Sequence, residues 1–149
     1  MDGSQIRIRP ARATDADAVA VLAGDLAQSF AFSPEKFGLS FPALLAAEDT
    51  CLLVAVAADQ CVGYLLGFTH LTFYANGPVG WVEEVLVRQD HRGQGAGRAL
   101  MSAFEVWAAK RGCALVALAT RRAAPFYRAL GYDESAAYLR KLLGNAIKP

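Results

Sequence analysis

Apolar residues follow two rhythms along this chain, and the switches between them mark a series of short elements. Residues Gln5 to Arg9 alternate polar and apolar, which suits a short strand. Val19, Leu22, Ala23 and Leu26 recur at helical spacing and predict a helix over Asp15–Gln28. Thr14 is placed to cap it, with Asp15 and Asp17 in the first turn, where negative charge is favoured. Phe30 to Ser33 reads as a loop, and Pro34 to Asp49 as further helix, broken around Gly38 and Pro42. Cys51 to Ala57 is an unbroken apolar run, the pattern of a strand buried on both faces. Ala58-Asp59-Gln60 turns the chain into a second strand from Cys61 to Phe68, extending towards Phe73. The Asn76-Gly77-Pro78 turn leads into a third, from Gly80 to Val87.

A glycine-rich loop comes next, then a helix over Gly95–Lys110 with Leu100, Met101, Phe104, Trp107 and Ala108 on one face. Gly112 supplies its left-handed cap. Cys113 to Ala119 predicts another strand. Pro125 opens and Gly131 closes a short helix. Tyr132 to Leu142 predicts a final strand, clearest at Tyr138-Leu139-Arg140-Lys141-Leu142. The order describes a mixed α/β protein, a central sheet with helices on its faces. Neither an internal repeat nor a linker-like segment interrupts it.

Composition narrows this further. The 149 residues carry a formal charge of +1, with 54% hydrophobic and 19% charged residues, so a single domain over 1–149 is expected. Such a chain is too apolar for disorder and too balanced in charge for a nucleic-acid grip. Gln60 to Val82 lacks Asp, Glu, Lys and Arg, but its Asn76-Gly77-Pro78 turn and His70 argue against a membrane span. The N-terminus has no apolar signal-peptide core. Cys51, Cys61 and Cys113 form no CxxC pair and there are only two His (His70, His91), so neither a disulfide framework nor a metal site is expected. A reducing, cytoplasmic setting fits best.

The chemistry concentrates in Arg92-Gly93-Gln94-Gly95-Ala96-Gly97-Arg98, a loop between a strand and an amphipathic helix. Glycines let backbone approach a ligand, and helix N-terminal amides favour phosphate; Arg92 and Arg98 can add charge-assisted contacts. The spacing is neither that of a Walker A loop nor of the dinucleotide fingerprint.

That loop resembles the [RQ]-x-x-G-x-[GA] motif of the GNAT (Gcn5-related) N-acetyltransferase superfamily. Ile8-Arg9-Pro10-Ala11 with Thr14-Asp15 is similar to its opening strand and helix start. Ala123-Ala124-Pro125-Phe126-Tyr127-Arg128-Ala129-Leu130-Gly131-Tyr132 resembles its A-x-x-F-Y-x-x-x-G-[FY] segment. The resemblance spans nearly the whole chain. It implies the acyl-CoA N-acyltransferase fold, a mixed and mostly antiparallel sheet flanked by helices. It also implies acetyl-CoA as co-substrate, its pyrophosphate on Arg92 to Arg98. Its pantetheine arm would lie along the backbone of Val85, Leu86 and Val87, where that strand splays from Cys113–Ala119, and one of these amides would polarise the thioester carbonyl. Tyr127 matches the general acid that reprotonates the departing thiolate. Thr120 departs from the family, whose members often carry Asn there.

The acceptor amine must lose a proton. Glu84, with Glu83 close behind, is the candidate base, because adjacent carboxylates in an apolar strand are costly unless one faces solvent or a cleft. Simple ion pairing is the alternative reading of both. The resemblance also places Phe30, Phe32, Phe73 and Tyr74 around the acceptor site, while Trp81 and Trp107 read as core, His70 as satisfying a loop carbonyl and His91 as exposed. The cysteines lie in apolar strands where thiols are inert, which favours direct transfer over an acetyl-cysteine. The expected partner is a small-molecule or peptide amine. A homodimer is admitted, since strand exchange or edge pairing near the C-terminus is common in that family. A non-catalytic acyl-CoA-binding or sensing module on the same fold is the alternative.

Overall fold

A computed structural model describes residues 5–27 and 29–144. Five strands form one sheet in the order β1-β2-β3-β4-β5: β1 Arg7–Pro10, β2 Thr50–Ala57, β3 Gln60–Thr72, β4 Gly77–Val87 and β5 Val116–Leu118. The first four pair antiparallel in sequence order, and β5 joins β4 in parallel. The mixed, mostly antiparallel sheet is thus as expected. Ala58 and Asp59 both take positive φ, the mirror-image turn that matches strand twist in a two-residue hairpin.

Alternation along the strands divides the core. Cys51, Leu53, Ala55 and Ala57 of β2 point to α3 (Ala96–Lys110) and meet Leu100, Met101 and Phe104. Leu52, Val54 and Val56 point to α1 (Ala16–Leu26) and α2 (Pro34–Ala46) and meet Val19, Leu22 and Phe41. Two glycines let α3 sit close. A Cβ on Gly67 would come within 2.3 Å of the Phe104 ring, and one on Gly80 within 3.2 Å. Gly112 at φ +80° caps α3, and Gly131 at φ +96° follows α4 (Ala124–Ala129), both as the sequence implied.

Several expectations need correction. Thr14 does not cap α1. It lies in a 3-10 turn over Ala13–Asp15, where buried Asp15 accepts from Arg12 N at 2.7 Å and pairs with Arg9 at 2.8 Å. The end of this helix at Gln28 falls outside the described residues. The second helix runs unbroken through Gly38 and Pro42, because burying Phe41 and packing Phe37, Leu44 and Leu45 against the sheet offsets the lost backbone hydrogen bond. The strand predicted over Cys113–Ala119 shortens to Val116–Leu118. The final strand over Tyr132–Leu142 does not form. The segment stays irregular although the outer edge of β5 pairs with no other strand among the described residues, and Tyr138 and Leu139 remain exposed.

Candidate active site

The loop at the end of β4 is built around free amides. Gly93 and Gly95 adopt φ of +76° and +92°, and the space where a Cβ would stand at either is empty. Ala99 N donates to Gly95 O, closing the first turn of α3. Among the described residues, the amides of Gly93, Gln94, Gly95, Ala96, Gly97 and Arg98 have no acceptor. A row of unpaired N–H groups at the positive end of a 15-residue helix is suited to a diphosphate. Arg92 braces this row by donating from Nε to Val87 O at 2.9 Å. Arg88 and His91 gather on the Asp90 carboxylate just before it, holding that carboxylate well below the usual range.

The sheet opens beside the loop. The β4–β5 ladder ends at Val82 and Leu118. Beyond it, Arg88 N donates to Val62 O, which fixes the alternation: Leu86 turns its backbone to β3, and Val85 and Val87 turn theirs to the open edge. The side chain of Leu86 packs among the α1–α2 core and that of Val87 against the α3 core.

A cleft of about 1070 Å³ crosses this opening. Val19, Phe32, Phe37 and Phe41 line one side of it; Glu83, Glu84 and Val85 line β4; Ala119 to Ala123 and Tyr127 line the other side. Both carboxylates reach it through a bulge. Leu66 pairs with Glu84 and Gly67 with Val82, so Glu83 is an extra residue in the ladder. A bulge re-aims side chains without breaking the strand. The sequence argument expected one of the two acids to face solvent or the cleft, and the bulge brings both to the cleft. Neither pairs with Arg or Lys among the described residues. Tyr64 donates its hydroxyl to Glu84 Oε1 at 2.7 Å, and Trp81 Nε1 donates to Glu83 Oε1 at 3.2 Å.

Tyr127 stands edge-on to Phe126 at 4.9 Å and to Tyr132 at 6.0 Å. Burial pushes its phenol pKa up, so it stays a proton donor at neutral pH. Phe126 also links loop to cleft, since a Cβ on Gly97 would meet its ring at 3.2 Å. The free amides of Gly93 to Arg98 do not line the cleft themselves. They stand at its edge, one aromatic side chain away from Tyr127.

The Acetyltransferase (GNAT) family profile matches residues 21–132, from the second half of α1 through most of the cleft lining, the loop and Tyr127. The chain belongs to this family. A curated relative, the aminoglycoside N(6')-acetyltransferase type 1 of Stenotrophomonas maltophilia, is 33% identical over 102 residues, which cover 61% of this chain and 65% of that protein. The chain therefore matches just under two thirds of that relative's length. Among solved structures, the aminoglycoside N-acetyltransferase AAC(6')-Iy in complex with CoA superposes with a TM-score of 0.84 at 21% identity, covering 95% of this chain and 97% of that one. Glucosamine-6-phosphate N-acetyltransferase from Arabidopsis thaliana gives 0.82 at 20% identity, covering 93% and 98%. These likenesses fix the GNAT fold.

Other expected residues separate. Phe30 and Phe32 line the cleft, whereas Phe73 and Tyr74 stand exposed at the tip of the β3–β4 hairpin, away from it. The hairpin is longer than the turn chemistry suggested and carries its aromatics past the sheet. Trp107 packs on Phe104 under the Arg111 guanidinium, and His70 sits exposed opposite Val79. Thr120 faces the cleft, with its Oγ1 accepting from Ala123 N at 3.0 Å. The sequence argument missed Tyr64, which reads as one more apolar position in β3, and Arg140, which sits in the segment read as a strand. All three thiols are free; burial pushes Cys51 up to about 12 and raises Cys61 and Cys113 as well.

Proposed function

We propose that this GNAT protein is an N-acetyltransferase moving the acetyl group of acetyl-CoA directly to a primary amine. The observation that carries the reading is the row of six free amides beside a cleft that holds both carboxylates and a protonated phenol. Acetyl-CoA supplies an activated acetyl thioester. Gly93 to Gly97 would take the diphosphate with Arg98 beside them, and Arg92 keeps that loop in shape. The open backbone edge of Val85 and Val87 would hold the pantetheine arm, one amide polarising the thioester carbonyl.

Glu84, held by Tyr64, accepts the proton of the incoming amine, directly or through water, and Glu83 is the second candidate. As the C–N bond forms and the C–S bond breaks, Tyr127 gives its proton to the sulfur. The thiols, held protonated by burial, do not supply a nucleophile for an acetyl-cysteine route. Three free thiols also fit a reducing cytoplasmic setting. No helix among the described residues is long and apolar enough to cross a membrane.

Release of free thiol from acetyl-CoA, measured over a panel of amines including an aminoglycoside, tests the reading. Amine-dependent release that falls in Tyr127→Phe, with acetyl-CoA binding kept, supports it. Acetyl-CoA binding without turnover on any amine marks a non-catalytic acyl-CoA-binding module instead.

A further inference from the structure

Resting on the transferase reading, the charges of the cleft say what kind of amine enters. Four basic side chains line it, Lys36, Arg121, Arg122 and Arg140, against only two carboxylates, Glu83 and Glu84. None of the four meets a carboxylate among the described residues, whereas Arg9, Arg88, Arg111 and Arg128 are each paired with an acid elsewhere. Arg121 and Arg140 also share a hollow of about 210 Å³ with Trp81 and with Glu83, the residue before Glu84. The remaining wall is apolar and aromatic, with Phe32 and Phe37 rings 5.8 Å apart and Phe37 and Phe41 rings 5.4 Å apart. An acceptor carrying several ammonium groups would meet an excess of like charge here.

We propose that the acceptor is a carboxylate-bearing primary amine with an apolar side chain, an amino acid or short peptide. Its carboxylate lies on Arg121 and Arg140, its amine at Glu84, and its side chain against Phe32 and Phe37. The guanidinium fork matches a carboxylate in geometry and charge, and such hydrogen bonds are stronger than neutral ones. Both arginines are exposed in the free protein, so their full hydrogen-bonding capacity is available to a ligand.

The test compares a phenylalanyl-alanine dipeptide with its C-terminal amide, both for kcat/KM and for calorimetric binding to CoA-loaded protein. The acid is expected to be preferred about 10- to 100-fold. The Arg121→Gln/Arg140→Gln double variant should abolish that preference while leaving the Kd for acetyl-CoA within about twofold. Equal use and equal binding of acid and amide, or preference for an aminoglycoside, overturns the proposal and leaves the transferase reading standing. Weakened acetyl-CoA binding in the double variant assigns the arginines to the co-substrate and also overturns it. Failure of acetyl-CoA to bind the wild-type protein removes the transferase reading itself.

Discussion

The Tyr64 hydroxyl meets Glu84 Oε1 at 2.7 Å, joining a buried residue of β3 to a cleft residue of β4 diagonally across the ladder, where Tyr64 pairs with Leu86 and Glu84 with Leu66. Burial first, and Glu84 second, push the Tyr64 phenol far above its ordinary pKa, so it donates to the carboxylate at neutral pH. Its role is to hold the carboxylate in one orientation. Tyr64→Phe should lower kcat about tenfold while acetyl-CoA affinity stays within twofold. Steady-state kinetics with a separate binding measurement checks this split; equal losses in both would mean the cleft itself had collapsed.

Tyr127→Phe keeps the ring edge-on to Phe126 and Tyr132 and removes only the proton donor. kcat should fall about 10²- to 10⁴-fold. Because burial raises this phenol above its ordinary value near 10, the acid remains loaded through neutral and mildly alkaline pH. The wild-type rate should therefore show no alkaline decline attributable to Tyr127 below about pH 10. A pH–rate profile to that limit decides it.

Gly93→Ala and Gly95→Ala place a Cβ on left-handed backbone, at a cost of roughly 1–2 kcal/mol each. No atom stands where the methyl would go, so both variants should fold, with Tm lower by about 3–6 °C. The same methyl would occupy the space over the free amides. Acetyl-CoA binding, followed by calorimetry, should weaken more than stability does.

The pair between Arg9 and Asp15 gives a pH signature. The Arg9 hydrogen bond holds the Asp15 carboxyl below its ordinary value. Its stabilisation is then fully present above the unfolded carboxylate pKa near 4 and is lost as pH falls through the lower folded value. Asp15→Asn should cost about 2 kcal/mol at pH 7 and flatten the acid limb of a stability curve below pH 4. Chemical denaturation across that range checks both.

Where each residue's role is local, the sequence was legible. The glycine loop, the short Pro125–Gly131 helix and the apolar strands are written in consecutive residues, so turn chemistry and periodicity found them, while Tyr127 was singled out only by the resemblance to the GNAT segment. Residues joined only by tertiary pairing were not. Glu83 and Glu84 read as a choice of one, because a bulge that admits both depends on the register against Leu66 and Gly67. Tyr64 reads as core until the register sets Glu84 diagonally across from it. Pro42 reads as a helix break until the burial of Phe41 is counted. Tyr138 to Leu142 has strand-like alternation, yet it forms no ladder with the sheet, because alternation alone does not set pairing.

The most direct measurement is a thermal-shift titration with acetyl-CoA. A ligand at 100 times its Kd that binds only the folded state adds about 2.7 kcal/mol of stability. The six amides at the head of α3 predict a saturable rise in Tm of roughly 5–10 °C, reduced in Gly95→Ala. An unchanged Tm at saturating acetyl-CoA would contradict the account.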